Sequence, residues 1–281
     1  VSPASPHSVG VEVARHTQGL DTVTEETDEL AVEEPLEIRV EGQPVAVTMR
    51  TPGNDLDLVA GFLLTEGVID GWDDVHAMAH VVDPAVPREN TVDTVLAAGV
   101  PAARARSADR AFYASSSCGI CGKTTIDRIF SRIEPVGPPP LDDPLLRVLH
   151  DLPDRLRTVQ TAFQRTGGLH AAGLFDGTGE LLVMREDIGR HNAVDKVIGA
   201  AIQTDLDLRQ TLLVVSGRAG FEIVQKALVA GIPLLAAVGA PSSLAADLAR
   251  RGGMVLVGFL RNGRFNRYGR LSPSPGAPPV G

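Results

Sequence analysis

Thr211-Leu212-Leu213-Val214-Val215-Ser216-Gly217-Arg218-Ala219-Gly220-Phe221 reads as a short apolar strand that passes through a glycine-rich turn into a helix. The same grammar recurs on both sides of it. A helix is predicted over 192–203, the strand over 211–216, a helix over 221–230, a strand over 233–238, a helix over 243–251 and a strand over 254–260. Strands that alternate with amphipathic helices argue for an α/β layer around a mixed sheet. Just upstream, residues 170–175 and 180–185 flank Asp176-Gly177-Thr178-Gly179, a strong hairpin signal. Leu156, Val159 and Phe163 suggest a helix that runs to Gly167-Gly168. No repeat at a solenoid period is visible.

The rest of the chain is organised around one break. Pro138-Pro139-Pro140 lies at the centre of a proline-rich linker over 136–144. It divides an α+β domain over 31–135 from an α/β domain over 145–281. Residues 1–30, rich in Ser, Thr, Pro and acids, read as a flexible arm. Leu36 to Arg50 alternates around Glu41-Gly42-Gln43 and predicts a hairpin. Asn54 is placed to cap a helix carried by Leu56, Val59, Ala60, Leu63 and Leu64, with Gly67 as its stop. Residues 91–97 read as a strand and 100–110 as a loop. Ile126, Ile129, Phe130 and Ile133 mark a further amphipathic helix.

Composition excludes several classes. With 43% hydrophobic and 22% charged residues, the 281-residue chain can bury an ordinary core. A net charge of −9 argues against nucleic acid as a partner. No apolar run reaches membrane-spanning length, and residues 1–10 lack the charged-then-apolar pattern of a secretory signal. Two cysteines three residues apart cannot staple a fold of this size, which predicts a reducing cytoplasm.

Both cysteines lie in Ser117-Cys118-Gly119-Ile120-Cys121-Gly122-Lys123. A closed zinc site needs four ligands, and no second C-x-x-C or H-x-x-H pair exists. A thioredoxin-like dithiol is the next alternative, although no tryptophan or proline brackets the pair. Lys123, and a following helix that Thr124 or Thr125 can cap, favour a reactive thiolate. Proximity alone selects Cys121 as the more activated sulfur.

A second signal is basic charge on an acidic background. Arg250, Arg251, Arg261, Arg264, Arg267 and Arg270 follow one another with no acid between or after them. Several sit on or beside Phe259-Leu260-Arg261-Asn262-Gly263-Arg264, read as a turn that leaves a strand. Planar guanidinium forks suit phosphate or pyrophosphate, and a solvated basic face is the competing reading. Two strand-turn-helix junctions also look suited to polar ligands: Glu186-Asp187-Ile188-Gly189-Arg190-His191-Asn192 and Ser216-Gly217-Arg218-Ala219-Gly220. Neither is a Walker A loop or a G-x-G-x-x-G fingerprint. Asp187, Arg190, Asn192 and Asp195 around His191 make that histidine a site candidate.

Together these motifs resemble the formate dehydrogenase accessory sulfurtransferases, the FdhD/NarQ family, across roughly residues 30 to 270. The resemblance rests on Thr51-Pro52-Gly53 through Gly61-Phe62-Leu63 and Glu66-Gly67, and on the cysteine segment Ser117 to Gly122. It continues in Thr166-Gly167-Gly168-Leu169-His170, Glu186 through Lys196, and Ser216-Gly217-Arg218. It implies a cytoplasmic, homodimeric sulfur carrier without a metal of its own. Such a carrier accepts persulfide sulfur from a cysteine desulfurase and passes it to the molybdenum of a bis-molybdopterin guanine dinucleotide cofactor. The client of that cofactor is the catalytic subunit of formate dehydrogenase. By this resemblance Cys118 carries the persulfide, overruling the proximity argument for Cys121. Phe259, Leu260, Arg261, Asn262, Gly263 and Arg264 contact the cofactor, with Arg190, His191 and Arg218 as weaker contacts.

The resemblance also implies a cytidine-deaminase-like three-layer C-terminal fold. Deaminase chemistry itself is rejected: it needs H-x-E and P-C-x-x-C. His170 is followed by Ala171-Ala172, and no cysteine lies after Cys121. Leu169 stands where some family members carry another cysteine. Cys121 could attack a Cys118 persulfide, expelling sulfide and forming a disulfide. Two rival functions remain beside the carrier: a dithiol oxidoreductase that cycles Cys118 and Cys121, and a non-catalytic cofactor-binding chaperone.

Overall fold

The computed structural model describes residues 7–17, 23–81, 90–101, 104, 134–137 and 143–268. The cysteine segment, the helix predicted around Ile126–Ile133, the triple proline, Arg270 and most of the loop predicted over 100–110 lie outside the described residues.

The chain opens on an antiparallel ribbon, β1 (Ser8–His16) and β2 (Val23–Ala31). Where composition suggests a loose arm, the backbone is paired. Valines at 9, 11, 13 and 23 supply the β propensity that the polar composition hides. The next hairpin follows the sequence expectation. Glu41 and Gly42, both at positive φ (52° and 70°), close the turn between β3 (Glu34–Val40) and β4 (Gln43–Arg50). With β5 (Val75–His80) and β6 (Thr91–Leu96) they form a four-stranded sheet ordered β4-β3-β6-β5.

Helix α1 (Asp55–Thr65) ends as predicted. Gly67 at φ 72° lets Val68 N–H reach Leu63 O and Gly67 N–H reach Leu64 O, the paired bonds of a Schellman stop. Its start differs from expectation. Asn54 adopts a left-handed conformation, φ 56° and ψ 34°, and its side chain makes no capping bond. The buried Arg50 guanidinium holds Asp55 instead, through Nε at 3.0 Å and Nη2 at 2.8 Å.

The predicted single helix before Gly167 is two, α2 (Asp143–Val159) and α3 (Thr161–Thr166), broken at Gln160. The Glu186 carboxylate explains the restart: it accepts Ala162 N–H at 3.0 Å and Phe163 N–H at 2.8 Å. Those are donors that a helix start leaves without intrahelical partners. The hairpin β7 (His170–Phe175) and β8 (Leu181–Asp187) then leads into α4 (Arg190–Gln203), β9 (Leu212–Val215), α5 (Phe221–Val229), β10 (Leu234–Ala237), α6 (Ser243–Arg251) and β11 (Val255–Arg261).

A final strand, β12 (Arg264–Tyr268), stands where the sequence reading had only a turn. Asn262 and Gly263, at φ 53° and 68°, make the tight return that pairs it with β11. The six-stranded sheet is ordered β12-β11-β10-β9-β7-β8. β9, β10 and β11 are parallel, and the outer neighbours are antiparallel. The fold is therefore mixed α/β, as expected.

Strand alternation sorts the core into two faces. Leu212, Val214, Leu234, Ala236, Val255 and Val257 meet Leu145, Leu149, Leu152 and Leu156 of α2. Leu213, Val215, Leu235, Ala237 and Leu256 meet α4, α5 and α6 on the opposite face. The second cluster does not stop at the proline-rich stretch. Leu36, Ile38, Leu58, Val59 and Leu63 from the first half belong to it.

Helices α1 and α4 cross with backbones in contact. A Cβ on Gly61 would lie 1.9 Å from Asp195 O, and one on Gly199 would lie 1.9 Å from Asp57 O. Only glycine allows that approach. Val136, buried, donates its N–H to Gly252 O at 2.9 Å and so ties the described part of the linker to the end of α6.

Candidate functional site

The parallel strands β9, β10 and β11 all end at one edge of the sheet, the edge at which open α/β sheets bind ligands. Backbone bonds continue the row past the strand ends. Gly239 N–H donates to Gly217 O at 2.9 Å, and Phe259 N–H donates to Gly239 O at 3.0 Å. Candidate site side chains collect at both ends of this row.

At the β11 end, Phe259, Arg261, Arg264 and Asn266 line a cavity of about 330 Å³. Its shape depends on a backbone irregularity. The register with β12 shifts between Gly258 and Arg261, and Phe259 sits at φ 55°, the left-handed region that bulky side chains avoid. Gly258 has no alternative, because a Cβ there would lie 2.6 Å from the Pro241 ring. The bulge presents the Phe259 ring beside the Arg261 guanidinium, whose central carbon is 6.0 Å from the ring centroid.

Of the six residues predicted in this segment, Phe259, Arg261 and Arg264 line the cavity. Leu260 packs into the core beneath it, and Asn262 and Gly263 form the hairpin turn. Asn266 was missed. The Asn262-Gly263 dipeptide, a strong hairpin signal, could have placed it on a returning strand opposite β11.

At the β7–β9 end, His170, Arg190, His191 and Arg218 converge with Glu222. His191 Nε2 lies 3.0 Å from Glu222 Oε2. Among the described residues, Arg190 and Arg218 have no carboxylate partner, and the Arg190 Nε is buried without a hydrogen bond. Burial pushes the His170 imidazole below its usual range, and the charges of Arg190, His191 and Arg218 push it further, against Asp187. The bond from His191 holds the Glu222 carboxyl low, against partial burial. The predicted Arg190, His191 and Arg218 are thus brought together; His170 and Glu222 join them without having been singled out as ligand contacts.

The other residues of the Glu186–Lys196 motif face inward. The fully buried Asp187 accepts Lys196 Nζ at 2.8 Å, Gly189 N–H at 2.8 Å, Asn192 Nδ2 at 3.0 Å and Thr51 N–H at 3.2 Å. Lys196 also donates to Thr51 O at 2.9 Å, and Asn192 to Met49 O at 2.8 Å. Asp187 and Asn192 therefore position the turn before Arg190 and lock it to the end of β4. Asp195 instead pairs with Lys226 at 2.9 Å and accepts Thr65 Oγ1 at 2.9 Å. The sequence reading had gathered all three around His191 as a site; the structure makes them its frame.

Cys118 and Cys121 lie outside the described residues. No helix among the described residues is long and apolar enough to cross a membrane.

A sequence model of the FdhD/NarQ family matches residues 31–272. A curated relative from Streptomyces coelicolor, named sulfur carrier protein FdhD, is 50% identical over 254 residues, which cover 88% of this chain and 89% of that protein. The protein of the same name from Mycobacterium tuberculosis is 50% identical over 258 residues, with 89% and 93% covered. A crystal structure of a protein from Desulfotalea psychrophila, assigned as a formate dehydrogenase accessory protein, superposes with a TM-score of 0.73 at 23% identity. It covers 94% of this chain and 98% of that one. That likeness concerns the fold.

Proposed function

The chain belongs to the FdhD/NarQ family, and we propose that it is a sulfur carrier that serves formate dehydrogenase. Cys118 takes the sulfane sulfur of a cysteine desulfurase persulfide and holds it as Cys118–S–SH. The donor cysteine is released as its thiolate, so the transfer needs no outside oxidant. The sulfur is destined for the molybdenum of a bis-molybdopterin guanine dinucleotide cofactor, bound as cargo by a cytoplasmic homodimer.

One observation supports this reading above the rest: the cavity of Phe259, Arg261, Arg264 and Asn266. An aromatic face suits a purine, two guanidinium forks suit its phosphates, and an amide can both donate to and accept from a base edge. A simple redox dithiol has no use for such a cavity.

The test is mass spectrometry of the protein after incubation with a cysteine desulfurase and cysteine. One added sulfur is expected on Cys118. It should be lost in Cys118→Ser and retained in Cys121→Ser. An unmodified Cys118 alongside an active desulfurase rules out the carrier. A reaction that requires both thiols points to the oxidoreductase, and cofactor delivery that survives loss of both points to the chaperone.

A further inference from the structure

The ribbon of β1 and β2 turns its apolar side away from the molecule. Residues opposite one another across an antiparallel pair point to the same side. Ser8, Gly10, Glu29 and Ala31 share the side that meets the rest of the chain. Ser8 is buried and donates to Glu29 at 2.9 Å, and Glu29 pairs with Arg165 of α3 at 2.8 Å. A Cβ on Gly168 would lie 3.7 Å from that of Ala31. The other side carries Val9 opposite Leu30, Val11 opposite Asp28 and Val13 opposite Glu26. Val9 is 50% exposed, Leu30 46% and Val11 37%. A solvent face is normally the polar one, and a two-stranded ribbon by itself is marginal in water. This ribbon has no third strand and no cover over its valines.

Charge decides what fits there. The two strands hold Glu12, Glu25, Glu26, Asp28 and Glu29 against one arginine, Arg15. Arg15 pairs with Glu26 at 3.2 Å, while among the described residues Glu12, Glu25 and Asp28 meet no cation. A second copy of the ribbon would set acid against acid, and an anionic lipid surface or a nucleic acid would be repelled. The complement is a protein surface with an apolar centre and lysines or arginines around it. Position narrows the choice further. Gly168 leads into β7, whose first residue, His170, stands at the carboxyl end of β9. The ribbon is therefore rooted at the edge from which bound cargo would leave.

We propose that the outward face of β1 and β2 is the docking surface for the protein that takes the cargo, the catalytic subunit of formate dehydrogenase, through a cationic surface with an apolar centre. The identity of that protein rests on the sulfur-carrier reading.

Calorimetric titration of the full chain with the cofactor-free catalytic subunit tests it. Wild type should bind, with an affinity that falls as salt rises. Val11→Ser with Leu30→Ser should weaken binding about ten-fold through lost apolar burial. Glu25→Lys with Asp28→Lys should weaken it to a similar degree and flatten the salt dependence. All four residues are exposed, so neither pair should move the melting temperature. If the serine pair does lower it, the lysine pair, which removes no apolar contact, decides alone. Sulfur uptake on Cys118 from a cysteine desulfurase should be the same in all three proteins.

A wild type that does not bind the subunit overturns the proposal, as do equal affinities in wild type and the lysine pair. Sulfur uptake lost only in the variants assigns the face to the sulfur donor instead. A change in the sedimentation of the serine pair alone assigns it to a second copy. Either outcome overturns the proposal. Sulfur uptake absent from wild type as well sinks the carrier reading, and the binding comparison is read independently of it.

Discussion

His170 shows how one residue can take its character from neighbours distant in sequence. It begins β7, half-buried, with Arg190, His191 and Arg218 around it and Asp187 behind. Burial leads and the cations add to it, so the folded protein prefers the neutral imidazole. The unfolded chain, with a free histidine near 6.5, binds more protons below that pH. This contribution is therefore present above about pH 6.5 and is lost as pH falls from there through the lower folded value. The Glu222 carboxyl is also held low, and its own loss belongs below 4.5, outside this window. Urea midpoints measured between pH 7.5 and 5.5 should accordingly fall less in His170→Gln than in wild type, and the two slopes should agree above pH 7. Equal slopes throughout would mean that the cluster does not burden His170. None of this was legible in the sequence. His170 was read as the end of the Thr166–His170 motif, as a strand start and for the glutamate it lacks two residues later, since strand pairing, not spacing, brings it to Arg190 and Gly217.

At the scale of elements, the sequence carried more. Every α/β unit from 190 onward, the β7–β8 hairpin and the Gly67 stop followed from apolar period and glycine placement. What it missed depended on partners from elsewhere in the chain. The break at Gln160 needs the Glu186 carboxylate from β8, and the start of α1 needs Arg50 from β4. The crossing of α1 and α4 was likewise invisible, because a glycine inside a helix carries no sequence signal beyond a mildly poor propensity. In the structure each lies against the partner backbone, and an added methyl has nowhere to go. Gly199→Ala should therefore destabilise by about 1–3 kcal/mol or more through overpacking, although alanine is the better helix former. Chemical denaturation checks the sign. A neutral or stabilising result would mean that the helices can separate at little cost. Gly263→Ala is no control, since φ 68° would strain it; Gly177, with no atom near its missing Cβ and an ordinary φ, is the position to compare.

For the molecule as a whole, the question is whether the proline-rich stretch separates two folding units. Composition suggests that it does. Three facts argue otherwise. The cluster that packs under α4, α5 and α6 includes Leu36, Ile38, Leu58 and Leu63 from the first half. The buried pair of Lys226 and Asp195 also takes in Thr65 and Glu66 across that divide. Burial would push the Lys226 ammonium down, but Asp195 and, from across the divide, Glu66 more than offset it. Asp187 and Lys196 likewise bind the backbone of Thr51. Opening the halves would break the bonds of Lys226 to Thr65 and Glu66 and those of Asp187 and Lys196 to Thr51, and it would expose the shared core. The described residues should therefore unfold as one cooperative unit. Differential scanning calorimetry should show one transition, with van't Hoff and calorimetric enthalpies that agree. Two resolved transitions, or a calorimetric enthalpy well above the van't Hoff value, would restore the two-domain reading. Asp195→Ala sharpens the choice. If the halves are coupled, removing the partner of Lys226 should lower the whole transition by about 3–5 kcal/mol of stability, and it should not split it.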